Sequence, residues 1–353
     1  MGRKRTEVYT GIELGTGTIK VVLGEFHDNS VISILGFCET ASQKIIKGEV
    51  IDGNIVCGRL IHALNEAEKN AGRIQNVYLA ATGGHIQHVN SVGSTLVQSQ
   101  NNRINDQHVV TAIRNARSYS LPPEKYVINY CDRRYLVDEA REITDPVGMV
   151  GNKIEADTHI VYGQRNNIET KCRMVTDVLS DPIVDLEFSA IAAGYGVLDS
   201  EEMERGSLII DLGAGITEDA VFHTPGVFHS GQIAAGCDHI VNDLALGLHL
   251  PEPKARQLLH DLGRYGNAVM TDDGRERIVK VEVTSGSTRS IPVSTVEHII
   301  ESRLRELFEI IHADLRETGS LSRINTGVKL CGGGALIPGA LELAQQVLHG
   351  VED

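Results

Sequence analysis

The sequence of 353 residues predicts a two-lobed α/β fold, with a cleft between the lobes and a small α+β module inserted in the chain. Three observations predict it. The phrase LIIDLGAGITEDAVF at 208–222 reads as an apolar strand ending in Asp211, a turn carrying Gly213 and Gly215, and a strand returning from Thr217. The phrase GIELGTGTIK at 11–20 echoes it: Glu13 answers Asp211, Gly15 answers Gly213, and Gly17 answers Gly215. Solenoid repeats recur every ~20–50 residues, so an echo this far away points instead to two copies of one domain. The second observation is a more polar texture over 84–163, which marks the insert. The third is a strand at 327–331 running into Gly332, Gly333 and Gly334.

The turn chemistry predicts the ligand. Glycines at alternate positions leave bare backbone N–H groups that cradle an anion. An acid beside them repels phosphate unless a divalent cation lies between, so Asp211 and Glu13 point to Mg²⁺, held mostly through water. Lys20 and the glycine N–H groups would hold the phosphates. The triple glycine lets a flat ring or ribose lie on the backbone and brings a helix N-terminus near an anion.

In chain order, strands at 8–13 and 19–25 form the first hairpin, and 31–37 adds a third strand after a turn at Asp28 and Asn29. A helix over 58–71 puts Leu60, Ile61, Leu64 and Ala67 on one face and stops at Gly72. A strand at 77–81 follows. In the polar region, Asn105 and Asp106 cap a helix carrying Val109, Ile113 and Ala116. Strands are expected at 126–130 and 158–163, with a turn at Asp145 to Gly148. Helices are expected at 166–179 and 184–197, the latter rich in Ala and Gly.

Beyond the second hairpin, a turn at Gly236 precedes a helix at 238–248, and another covers 255–262 after Pro251 and Pro253. Strands over 275–292 flank a flexible 285–288. Ser294 and Glu297 read as a capping box opening a long helix. Its stripe of Val296, Ile300, Leu304, Leu307, Phe308, Ile311 and Leu315 is a core face, and Gly319 ends it. The division is then 1–83 with 164–205 as first lobe, 84–163 as insert, 206–236 with 294–353 as second lobe, and 237–293 as its appended subdomain.

Composition bounds the function. Hydrophobic content of 41% and charged content of 23% are those of a soluble globular chain. Net charge −14, no Trp and 4% aromatics argue against nucleic acid as partner. Six scattered cysteines without a CxxC fit a reduced, cytosolic protein. There is no signal peptide and no apolar run long enough to span a bilayer. Met1 to Thr6 matches a myristoylation pattern, but a frayed solvated start is the reading adopted. The 14 histidines show no HExxH, and GxSxG, GxxxxGK[ST] and a GxGxxG after a strand are all missing. Zincin, hydrolase, P-loop and Rossmann readings therefore fail.

Two acid–glycine hairpins and a triple glycine, in this order, resemble the nucleotide site of the actin and hexokinase superfamily, with its RNase H-like lobes. Within it the chain resembles the FtsA family of bacterial cell-division proteins over nearly its whole length. The most specific stretches are VYLAATGGHI at 77–86, DPVGMVGNKIEADTH at 145–159, and 188–198 followed by 208–222. PilM-type pilus-assembly proteins, which share the insert, are the nearest alternative.

The resemblance implies ATP with Mg²⁺. Gly15, Thr16, Gly17 and Thr18 would form the first phosphate loop, with Lys20 where actin carries a lysine; FtsA proteins usually carry it at the position of Thr18. Gly213, Ala214, Gly215 and Thr217 would form the second, and Gly236 with Gly332, Gly333 and Gly334 the adenosine-facing turns. Three features depart from the family. The water-positioning Glu or Gln of many actin-like ATPases is Ser189 here, with Glu187 about 200° away round the expected helix. Serine is a poor base, so hydrolysis is expected to be weak or absent. Residues that commonly face ribose and adenine are Arg256 and Leu259 here. The family continues past the equivalent of Asp353 into an amphipathic membrane helix, so membrane attachment is expected only through a segment beyond this chain.

The family also implies partners: FtsZ, whose C-terminal tail would meet the lobe around 237–300, further copies of the chain in filaments, and other division proteins at the insert. That lobe carries Arg275, Arg277, Lys280, Arg289 and Arg303, with Val293 where a basic residue is common. The implied location is the inner face of the cell membrane at the division site. Two other classes stay open: a small-molecule kinase of the superfamily, and an actin-fold interaction module that has lost its nucleotide.

Overall fold

The computed structural model describes residues 7–27, 31–71, 74–138, 141–179, 183–224, 226–262, 276–284 and 287–349. The basic start at 1–6, the turn at Asp28 and Asn29, the stop at Gly72, Arg275, and Ser285 with Gly286 lie outside these residues.

The first sheet has five strands in the order Ile183–Phe188, Val77–Ala81, Val8–Leu14, Thr18–Phe26, Ile32–Ala41. Its hairpin is antiparallel, and Val77–Ala81 lies parallel on the other side of Val8–Leu14. Helices Gly53–Ala71 and Arg165–Leu179 pack on it, burying Val56, Leu60, Ala63, Ile168 and Val175 with Ile12, Leu14 and Val21. Period 2 in the strands and period 3.6 in the helices thus meet in one core.

The second sheet repeats this plan with four strands: Gly226–Ile233, Thr217–His223, Ser207–Leu212 and Gly327–Cys331. Again a hairpin is antiparallel and the strand on its far side is parallel. The helices Cys237–Gly247, Val293–Glu317 and Ala340–His349 close the second core around Leu208, Ile210, Ile240, Leu244 and Phe308. Helix Glu252–Asp261 and the ribbon Ile278–Thr284 with Ser287–Pro292 extend it.

The insert is a separate antiparallel sheet in the order Gln87–Leu96, Lys153–Gln164, Lys125–Val137, Arg141–Ile143, with helix Asp106–Arg117 on one face. Gly93 lets that helix approach: a Cβ there would run into the backbone of Ala116. Asn105 caps the helix as expected, accepting from the His108 N–H at 3.1 Å.

Several expectations need correction. The helix expected over 184–197 begins only at Ser189, because Ile183–Phe188 is a strand parallel to Val77–Ala81. A short apolar run does not tell strand from helix by periodicity, and here the sheet edge supplied the partner. Ser294 caps nothing: the long helix starts at Val293, and the Ser294 hydroxyl bonds Glu276 instead. The triple glycine leads into a 3₁₀ turn, Gly333–Leu336, so the final α-helix starts only at Ala340. The insert strand Gln87–Leu96 and the strand Gly226–Ile233 were not expected. Gly319 does end the long helix, at φ +70°.

Candidate functional site

The two hairpins are built alike. Glu13 faces Lys20 across one ladder, and Asp211 faces Glu218 across the other. The Gly15 N–H donates to the Thr18 carbonyl at 3.1 Å, and the Gly213 N–H donates to the Ile216 carbonyl at 3.0 Å. A Cβ would crowd that carbonyl in both turns, at 2.8 Å from Gly15 and 2.9 Å from Gly213. The turns then meet each other: Gly17 lies against Ala214, and Gly215 lies against Thr16.

Between them is a cavity of about 390 Å³, within the range of small-molecule sites. Gly15, Thr16, Gly17, Thr18 and Lys20 line one side, and Gly213, Ala214 and Gly215 the other. Glu13, Asp211, Gly332 and Gly333 also face it. Gly332 sits at φ +76°, and a Cβ there would strike the Asp211 carboxylate, so the glycine is what lets Gly327–Cys331 end beside the acid.

Charge is the notable feature. Lys20 bonds Glu13 at 2.8 Å. Burial lowers the Lys20 ammonium, but Glu13 and Asp211 outweigh it and the net movement is upward. Burial, then the Glu13 charge, pushes Asp211 up to about 6. Glu218, also facing the cavity, is pushed up to about 8 by burial and then by Asp211. Four acids, Glu13, Glu39, Asp211 and Glu218, therefore share one cleft with Lys20. A divalent cation would offset their repulsion, so this donor set fits Mg²⁺. With Glu13 and Asp211 as the protein's acids, the ion would keep several waters, and its chemistry would be charge neutralisation on a phosphate chain. Among the described residues no group of three His, Cys, Asp or Glu is arranged to hold a metal directly.

Sequence reasoning missed the second layer. The Thr82 hydroxyl donates to Glu218 at 2.9 Å, and Lys171 donates to the Thr82 carbonyl at 2.8 Å. Lys171 is buried, and desolvation lowers it to about 8. Thr82 lies in the 77–86 stretch, and Glu218 directly follows Thr217. Alternation along Thr217–His223 would have sent half its side chains to solvent, yet all but His223 are buried.

Other expected site residues lie elsewhere. The Thr217 hydroxyl donates to the Ala235 carbonyl at 2.8 Å. Gly236 packs against the Gly213 carbonyl, and the Cys237 and Asp238 N–H groups donate to Gly213 and Ala214, so this turn braces the second hairpin. Gly334 packs on Leu212. Arg256 is held by Asp238 at 2.7 Å and Glu252 at 2.9 Å, and Leu259 is half-buried in the second core. Ser189 is buried at the start of its helix, away from the cavity lining. Glu187 is on a strand, accepts from Asn129 at 2.7 Å, and is pushed up to about 7 chiefly by burial.

Paired lobes with facing hairpins define an actin-like protein. The solved PilM–PilN type IV pilus biogenesis complex has this fold, with TM-score 0.63 and 14% identity, over 97% of this chain and 86% of that one. MreB5 of Spiroplasma citri bound to ADP shares it at TM-score 0.53 and 13% identity, over 95% and 87%. The family model "SHS2 domain inserted in FTSA" matches residues 83–162, and "Cell division protein FtsA" matches 208–352. The cell division protein FtsA of Pseudomonas aeruginosa is 28% identical over 97% of this chain and 81% of its own length. The chain is an FtsA-like protein, an actin-like protein of cell division. No described helix is long and apolar enough to cross a membrane.

Proposed function

We propose that the chain binds ATP with Mg²⁺ between its hairpins and links FtsZ filaments to the membrane on the cytoplasmic side of the division site. The observation that carries the ATP reading is the reciprocal meeting of the turns, Gly17 on Ala214 and Gly215 on Thr16, with Glu13 and Asp211 on the same cavity. An ADP complex among the fold neighbours supports it. The phosphate loops are then 15–18 with Lys20, and 213–215; Gly332 and Gly333 face the nucleoside, and Glu13 and Asp211 take the hydrated metal. Hydrolysis is weak or absent, since Ser189 is buried off the cavity and Glu187 is occupied by Asn129. The working division of the chain is 1–83 with 164–205, 84–163, 206–236 with 294–353, and 237–293.

Like its filament-forming relatives, the chain self-associates; the insert recruits other division proteins, and the lobe around 237–300 takes the FtsZ tail. Arg289 is not free for that tail, because it donates to the carbonyls of Leu248 and His249. Arg303 is held by Asp243 at 2.7 Å and by Glu306. Lys280 is exposed, and with Arg277 and Arg289, whose charge the carbonyls do not neutralise, it gives that face a positive field. A second reading, an interaction module without nucleotide, draws on the distance of Arg256 and Leu259 from the cavity.

Co-sedimentation with FtsZ filaments, with and without Mg·ATP, tests the division role. The chain is expected in the pellet with FtsZ. A folded chain that stays in the supernatant in both conditions contradicts it.

A further inference from the structure

A second cavity, of about 470 Å³, lies where the insert meets the second lobe, away from the glycine turns of the hairpins. His88 and Tyr162 come from the insert, and Asp219, Gln232, Ile310 and Asp314 from the second lobe. Asp219 is only 3% exposed, and its Oδ2 has no hydrogen-bond partner among the described residues. His229 Nε2 lies 3.8 Å from that oxygen, but it donates to Asp314 at 3.0 Å. Gln232 spends its amide N–H on the Gly84 carbonyl, and its Oε1 is also unpartnered. His229 Nδ1 is also without a partner among the described residues, though His229 does not line the cavity. The room for Asp219 is built in: a Cβ on Gly231 would sit 2.6 Å from Asp219 Oδ1.

Buried acceptors without donors are costly, and a buried carboxylate more so. A cationic partner rich in donors would satisfy both unpartnered oxygens. Among the described residues no three His, Cys, Asp or Glu side chains are set to hold a metal ion. A guanidinium carries five N–H donors in a rigid fork that matches a carboxylate. The mouth suits an aliphatic stem, since Ile310 is 44% exposed and Tyr162 stands beside it. Asp314, with its side chain 42% exposed, adds a second negative charge at the rim.

We propose that this cavity is a binding site for a guanidinium group on an aliphatic stem, anchored by Asp219. Because one face belongs to the insert and the other to the second lobe, its occupant would also tie the two together.

The test titrates the folded chain by calorimetry with agmatine, with Nα-acetyl-arginine amide, and with the neutral isostere Nα-acetyl-citrulline amide; Zn²⁺ alone is a fourth arm. Thermal unfolding by circular dichroism monitors the fold. At least one guanidinium probe is expected to bind and the citrulline probe to fail. Agmatine alone binding identifies a free small cation; the arginine amide binding identifies a side chain presented by a partner. Asp219→Asn should lower the affinity by at least about tenfold. Gly231→Ala, which pushes on the same carboxylate, and the rim variant Asp314→Asn should also weaken it, so the proposal stays testable if Asp219→Asn fails to fold. No binding of either guanidinium probe at millimolar concentration overturns the proposal. So does equal affinity in folded Asp219→Asn, or Zn²⁺ binding that excludes the probes.

Discussion

Gly215 lies so close to Thr16 that a Cβ on it would be 2.8 Å from the threonine Oγ1 and Cγ2. Thr16 cannot swing aside freely, because its Oγ1 accepts the Gly48 N–H at 2.9 Å. Gly215→Ala should therefore push the two turns apart at the phosphate position. The expected result is at least about a tenfold loss of Mg·ATP affinity, with a stability cost of ~1–3 kcal/mol from overpacking. Nucleotide titration together with denaturant unfolding checks both numbers.

The buried carboxylates set a pH dependence. Glu218 is held at about 8, above its ordinary value, so its proton favours the folded chain and that contribution is lost as pH rises through about 8. Asp211, at about 6, acts in the same direction lower down. Below about 6.5 the partly buried His85 and His88, both lowered to about 4 chiefly by desolvation, work in the opposite direction. Between pH 6.5 and 8 Glu187, at about 7, adds to the loss and Lys171, lowered to about 8, works against it, and the nucleotide-free chain should lose about 2 kcal/mol as pH rises. Glu218→Gln should remove the larger part of that slope in urea unfolding measured across the window, leaving the share of Glu187. An unchanged slope in the variant would show that Glu218 is not its source.

The insert is clamped on the second lobe by a stack. Arg133 and Arg323 both lie over the Phe228 ring, 4.0 Å and 4.7 Å from its centroid, while Arg323 bonds Glu142 of the insert at 2.7 and 2.9 Å. Phe228 is 3% exposed. Phe228→Ala should cost ~3–5 kcal/mol, as large-to-small changes at buried aromatics do. Arg323→Ala, removing a partly exposed pair and one cation–π contact, should cost ~1–2 kcal/mol. Unfolding by two probes, one in the insert and one in the second lobe, should lose coincidence in Phe228→Ala.

For the FtsZ tail, Lys280→Glu is the informative change. It reverses charge at an exposed position, whereas Arg289→Glu would strip the carbonyls of Leu248 and His249 of a donor. Lys280→Glu should weaken binding of an acidic tail peptide several-fold at low salt and less at high salt, with the unfolding midpoint unchanged. Equal binding at low salt would move the peptide off this face.

Much of this was legible in the chain. The hairpins were read almost to the residue, because a strand ending in an acid before alternate glycines has few other solutions. The insert was visible as texture, and its helix through Asn105. What escaped was decided by tertiary context. Ile183–Phe188 became a strand because Val77–Ala81 offered a parallel ladder. The Ser294 capping pattern was overruled by Glu276, brought beside it by the ribbon. Glu218 and Asp219 were not singled out, because nothing in the sequence pattern shows that their strand is buried on both faces. Arg256 and Leu259 were placed by counting from Gly236, and the helix they lie on is turned to Asp238 and to the core.

The central claim is that Glu13 and Asp211 hold a hydrated Mg²⁺ against a nucleotide in the 390 Å³ cavity. The most direct measurement is calorimetric titration of the folded chain with ATP, with and without Mg²⁺, beside Asp211→Ala. The expected result is saturable one-to-one binding that needs Mg²⁺ and falls at least about tenfold in the variant, with its fold intact. A folded chain that binds no Mg·ATP, or binds it equally well without Asp211, would contradict the claim.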